Sequence, residues 1–209
     1  MSIFKRTKLE LQHPVEPPKQ VGRLAIIVGH SASDGGANGS FPVGRLQEYK
    51  FHRQEIVPVM EARAKELGLE SKVFLRDGTD IGGVGAMVSA WADQKTVAIE
   101  LHFNSTSGAS GSETLYDTAP AANIIFAQLV QDAMVRVLSR TGKANRGIKQ
   151  TNTGRGSHNL TSVKCVGCLV EPAFCDNPGE AKLLWDNRVA YAKALVEAAR
   201  AYLDKAFPA

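Results

Sequence analysis

The run Leu24-Ala25-Ile26-Ile27-Val28 does most to limit what this chain can fold into. Five apolar residues follow one another without interruption and end at Gly29 and His30. A run this short, continuous and β-branched reads as a strand covered on both faces, and therefore as a central strand of an α/β sheet. The polar, glycine-rich stretch behind it, residues 31–40, cannot extend the strand. The chain must leave the sheet at its carboxyl edge with His30 at the exit, which is where open α/β sheets place their ligands.

Two further strands end the same way. Thr96–Leu101 leads into His102, and Cys165–Val170 leads into Glu171. Between and around them, residues 71–76, 113–116 and 146–149 read as additional strands, the last at an edge. Helices are expected over about 45–67, closed by Gly68 and broken near Pro58, over 82–93, over 121–139 and over 181–205. Strands that alternate with helices predict a single-domain α/β fold, a three-layer sandwich with a twisted, mostly parallel sheet flanked by helices. Residues 1–20, with Pro14, Pro17 and Pro18 among charges and His13 as a bystander, read as an extension lying on the surface or disordered, ahead of a domain over 21–209.

Composition narrows the function classes. With 209 residues and 44% hydrophobic content the chain has enough for one full core. The net charge of +4 is compatible with an anionic polymer, a cell wall or a nucleic acid, although many basic proteins bind neither. No apolar stretch approaches the roughly 20 residues that span a bilayer. The charged start Met1–Lys8 has no apolar segment behind it, so synthesis in the cytoplasm without a secretory signal is expected. Cys165, Cys168 and Cys175 are three cysteines within eleven residues, which is no disulfide framework, and Cys165 and Cys168 read as fillers of a buried strand.

If the three strands are neighbours and run the same way, His30, His102 and Glu171 converge at one edge. Glu48, at the start of the first long helix, is a fourth candidate. Two imidazoles and a carboxylate form a known catalytic zinc set that leaves a fourth position for water. Zinc brings the pKa of that water near 7 and polarises a carbonyl, and a further carboxylate then moves the proton to the leaving amine. Glu48, His52 and Glu55 share one helical face, and spacing alone does not choose between Glu48 and Glu55. Gly82-Gly83-Val84-Gly85 and residues 35–39 do not match the glycine patterns of phosphate loops or dinucleotide folds.

Several segments, in order over about residues 22–205, resemble the zinc-dependent N-acetylmuramoyl-L-alanine amidases of the amidase type 3 family. They are Ile27-Val28-Gly29-His30 with Gly36-Ala37-Asn38-Gly39; Glu48 ahead of Gly68; Leu75-Arg76-Asp77; Glu100–Ser105; Gly111–Tyr116; Arg146–Lys149; and Leu169–Asn177. The resemblance selects Glu48 over Glu55. It implies His30, Glu48 and His102 as Zn2+ ligands, Glu171 as the catalytic glutamate, and hydrolysis of the amide between N-acetylmuramic acid and L-alanine. Residues 31–34 and Pro172-Ala173 depart from the pattern common in relatives.

The partner so implied is peptidoglycan, with no nucleic acid and no membrane insertion, and a monomer is expected. A catalytic domain without a signal or a wall-binding module looks like a phage or prophage endolysin that reaches the wall after release. Asn104 and His158 are candidate substrate contacts, and residues 142–162 form a connection placed to line the groove. Two alternatives remain. One is a zinc amidohydrolase or carboxypeptidase on a small N-acyl amino acid, kept open by Arg76, Arg146 and Arg155; the other is a metal-free wall-binding protein.

Overall fold

The computed structural model describes residues 19–39, 46–151, 153–154 and 156–208. His13 and nearly all of the expected extension, the helix start at Arg45, and Arg155 lie outside the described residues.

Six strands, β1 (Gly22–Val28), β2 (Leu69–Phe74), β3 (Thr96–Leu101), β4 (Ser112–Tyr116), β5 (Asn145–Gln150) and β6 (Val166–Glu171), form one sheet in the order β2-β1-β3-β6-β4-β5. The first four in that order are parallel. β4 runs antiparallel to β6, and β5 runs parallel to β4. The expected α/β fold with a mostly parallel sheet is the one observed. β1, read as central, lies inside the sheet; the three strands that end at His30, His102 and Glu171, β1, β3 and β6, are adjacent, and β5 is an edge as expected.

The strands divide their side chains between two covered faces, as the two-residue period of a strand requires. Leu24, Ile26, Val28, Val97, Ile99, Leu101, Cys168 and Val170 belong to the larger core. That face is covered by α1 (Glu48–Phe51), α2 (Val57–Glu66), α4 (Ala122–Val137) and α6 (Pro178–Ala206). Ala25, Ile27 and Ala98 pack instead with Val84 and Val88 of α3 (Ile81–Trp91). Leu169 and Leu115 pack with Leu160 of α5 (Ser157–Ser162). The end of the α4 segment is tied to the start of α6 by a buried, two-pronged pair, Arg140 donating to both carboxylate oxygens of Glu180 at 2.7 Å.

The first long helix departs from its expected form. Between α1 and α2 the chain makes a π-helical turn over His52–Ile56, and Pro58 follows it directly in the first turn of α2. The break thus precedes the proline. α6 begins at Pro178, earlier than expected, because Asn177 caps it by accepting from Gly179 and Glu180. The expected connection over 142–162 contains α5 as well as β5. Among the described residues no helix is long and apolar enough to cross a membrane.

Candidate metal centre and active-site cleft

β1, β3 and β6 deliver His30, His102 and Glu171 to the same carboxyl edge. The register continues past the strand ends, since the His102 amide donates to the carbonyl of Val170, the residue before Glu171. Glu48 arrives at the start of α1 and is only 2% exposed. Its Oε1 lies 2.9 Å from His102 Nδ1 and 3.4 Å from His30 Nε2. The ligand atoms of His30, Glu48 and His102 all lie within 4.8 Å of one another. The two imidazoles meet edge to face, ring centroids 5.1 Å apart.

This donor set fits zinc. Tetrahedral bonds of about 2.0–2.1 Å put neighbouring ligand atoms roughly 3.3 Å apart, close to the 2.9 and 3.4 Å that separate Glu48 from the two imidazoles. The backbone leaves room for the set. Gly36 adopts a φ of +70°, and a Cβ there would lie 2.6 Å from Glu48 Oε2 and from the His30 ring. At Gly29 a Cβ would lie 2.1 Å from His102 Nε2. Both glycines let the backbone approach the ligands closer than any side chain would permit.

The electrostatics hold these groups in charged forms. Burial alone would favour the neutral acid at Glu48, but hydrogen bonds with His102 and His30 outweigh it and keep the carboxyl well below the usual range. Backbone amides add to this, Ala37 N–H donating to Oε2 and Phe103 N–H to Oε1. Burial opposes the charged form of His102 as well, yet Glu100 and Glu48 raise its pKa to about 10. His30 is raised in the same manner, with burial opposing and Glu48 prevailing. Each imidazole turns its other nitrogen to a carboxylate, His30 Nδ1 to Asp34 at 3.2 Å and His102 Nε2 to Glu100 at 3.0 Å.

His52 and Glu55, the other members of the helical face, go elsewhere. His52 is fully buried against the rings of Phe51 and Phe103, and burial pushes its pKa down to about 3, leaving it neutral. Glu55 accepts from Arg188 at 2.9 Å. The cysteines are free thiols, and burial pushes Cys165 up to about 12 and the other two higher, so none is a poised nucleophile.

The cluster opens into a cleft of about 610 Å³ whose lining includes Glu171, Arg76, Ile81, Phe103, Leu115 and Leu169. Glu171 stands directly opposite Glu113 in the antiparallel β4–β6 pair. Glu113 is engaged on both oxygens, by Asn104 Nδ2 at 3.0 Å and Arg146 Nε at 2.7 Å. Asn104 is buried at 1% exposure. His158 lines a neighbouring cavity of about 600 Å³ that shares Arg76 and Ile81 with the cleft. Sequence reasoning passed over Glu100, Asp34, Asn159 and Gly29. The signal for Glu100 was present, because a charged residue inside a buried strand demands a partner.

The profile of a family described as N-acetylmuramoyl-L-alanine amidase matches residues 24–201. Among solved structures, the catalytic domain of the amidase CwlV from Bacillus (Paenibacillus) polymyxa var. colistinus superposes with a TM-score of 0.71 at 23% identity, over 87% of this chain and 98% of that one. An N-acetylmuramoyl-L-alanine amidase from Clostridium difficile 630 gives 0.72 at 21% identity, over 88% and 98%. The catalytic domain of the CD27L endolysin targeting Clostridia difficile gives 0.69 at 24% identity, over 85% and 96%. The comparison with curated proteins returned no match. The solved structures speak to the fold, and the profile, which spans nearly the whole described domain, speaks to descent. The chain belongs to the amidase type 3 family of zinc-dependent N-acetylmuramoyl-L-alanine amidases, hydrolases that act on peptidoglycan.

Proposed function

We propose that His30, Glu48 and His102 hold the zinc ion and that Glu171 carries the proton in hydrolysis of the lactyl–alanine amide. The observation that supports this most directly is the meeting of three ligand-type side chains within 4.8 Å, next to a buried glutamate in the same cleft. Zinc in that set would supply a Lewis acid for the scissile carbonyl and would acidify water. Glu171 takes the proton from the attacking water as its oxygen adds to the carbonyl carbon. When the carbon–nitrogen bond breaks, Glu171 returns the proton to the alanine nitrogen. Asn104 serves this chemistry indirectly, by donating to Glu113, the residue opposite Glu171 on β4. His158 and Arg76 border the path by which a longer chain would extend beyond the cleft.

We further propose that the enzyme works as an endolysin on a polymeric wall. Two features support a polymer over a small N-acyl amino acid. The cleft adjoins a second cavity that shares Arg76 and Ile81 with it, and Arg76 and Arg146 are committed to Asp34 and Glu113 rather than to a free carboxylate. The likeness to the CD27L catalytic domain supports the endolysin assignment. The test is digestion of purified peptidoglycan with and without a chelator, reading new alanine amino groups against new reducing sugars. New amines that vanish with chelator support the reaction, and reducing ends without new amines reject it. Expression in bacteria whose membrane is then permeabilised tests the endolysin role, since cells that keep their walls intact would oppose it.

A further inference from the structure

Glu100 is the only charged residue of β3, and its side chain is 6% exposed. A carboxylate in so dry a place needs donors. It has two, both on Oε1: His102 Nε2 at 3.0 Å and Asn159 Nδ2 at 2.5 Å. Asn159 comes from α5, whose residues also wall the cleft, so a helix across the site fixes where the Glu100 carboxylate stands.

This arrangement decides which nitrogen of His102 is available. A carboxylate only accepts hydrogen bonds, so Nε2 carries the hydrogen that faces Glu100. The lone pair of the neutral ring is thereby left on Nδ1, which lies 2.9 Å from Glu48 and points into the ligand set. Gly29 confines the same edge of the ring, since a Cβ there would lie 2.1 Å from Nε2. His30 is oriented in the opposite sense, through Nδ1, by Asp34, whose side chain is 59% exposed and shared with Arg76. Of the two carboxylate–histidine pairs, only the one at Glu100 is shielded from water, and it is the one expected to count.

We infer that Glu100, held by Asn159, is a positioning residue that fixes the tautomer and orientation of His102 and makes Nδ1 a stronger donor to zinc. The inference rests on the metal-centre reading above. Its test is zinc affinity, measured by competition with a chelating dye at neutral pH, for the wild type, Glu100→Gln and Glu100→Ala. Loss of a carboxylate behind a ligand histidine costs about 10–100-fold in metal affinity. Glu100→Gln, the same size and still an acceptor, is expected near the lower end, and Glu100→Ala near the upper. In zinc-loaded protein labelled with 15N, the His102 Nε2 proton is expected downfield and slow to exchange, retained in Glu100→Gln and lost in Glu100→Ala. A packing role alone would leave Glu100→Gln with wild-type affinity. Should Glu100→Ala fail to fold, Glu100→Gln decides. Folded variants that hold zinc within twofold of a zinc-binding wild type overturn the inference alone, whereas a wild type without stoichiometric zinc overturns the metal centre and the inference together.

Discussion

The Oε1 atom of Glu48 and the Nδ1 atom of His102, 54 residues apart in the chain, meet at 2.9 Å. Glu48 is buried and His102 half-buried; the imidazole helps keep the carboxyl ionised, while Glu100 and Glu48 together keep the imidazole charged. A carboxylate and an imidazole placed so close, with His30 completing the set, exchange a proton for a divalent ion without rebuilding the site.

That exchange gives the metal-free protein a defined pH profile. His102 titrates at about 10 against an ordinary 6.5, so the stability it lends is complete below pH 6.5 and is lost as the pH rises through about 10. Glu48 titrates below its ordinary 4.5, so its contribution is complete above pH 4.5 and is lost as the pH falls through its lower folded value. Thermal melts in chelator are expected to peak between pH 4.5 and 6.5 and to decline on both sides. With zinc restored the alkaline decline should flatten, because the metal replaces the proton on His102. Alkaline melts in chelator as high as those at the peak would contradict the assignment.

Removing only the proposed proton carrier separates binding from chemistry. Glu171→Gln keeps the shape of β6 and lies outside the ligand set. Zinc content should be unchanged while amide hydrolysis falls about a hundred- to ten-thousand-fold. A variant that retains activity would remove Glu171 from the mechanism.

The approach of Gly29 to His102 predicts a strong effect from one methyl group. In Gly29→Ala the added carbon would lie 2.1 Å from Nε2, so the ring has to move. Zinc affinity is expected to drop about tenfold or more, with the fold retained in circular dichroism. Wild-type affinity in this variant would show that the ring has freedom the packing does not allow.

The pairing of Glu113 with Glu171 across β4 and β6 places two acids on one rung, with Arg146 neutralising the first. In Arg146→Ala the charge of Glu113 faces Glu171 without its counter-ion, and like charges resist ionisation. The acid limb of the kcat/KM profile should move to higher pH, by up to about one unit. An unmoved limb would mean that Glu113 exerts no field on Glu171.

Much of this protein was legible along the chain because local patterns carried it. The apolar runs of β1, β3 and β6 announced buried strands, and each stopped at a residue with chemistry to offer. Residues 157–162, Ser-His-Asn-Leu-Thr-Ser, gave no such pattern: one apolar residue in a six-residue helix leaves no periodicity to read. The π-helical turn before α2, which buries His52 and Ile56, was equally silent.

The candidate site divides along the same line. The sequence by itself determined which side chains stand at strand ends, because the apolar runs and the polar residues that stop them are local features of the chain. Spacing left Glu48 and Glu55 open and the family resemblance selected Glu48; the tertiary structure places Glu48 against His102 and pairs Glu55 with Arg188 on α6 instead. It also decided that Glu100 finds Asn159 and that Gly29 confines the His102 ring. These contacts depend on strand order and helix docking, and such long-range pairings are fixed by the packing of whole layers, which no local spacing encodes.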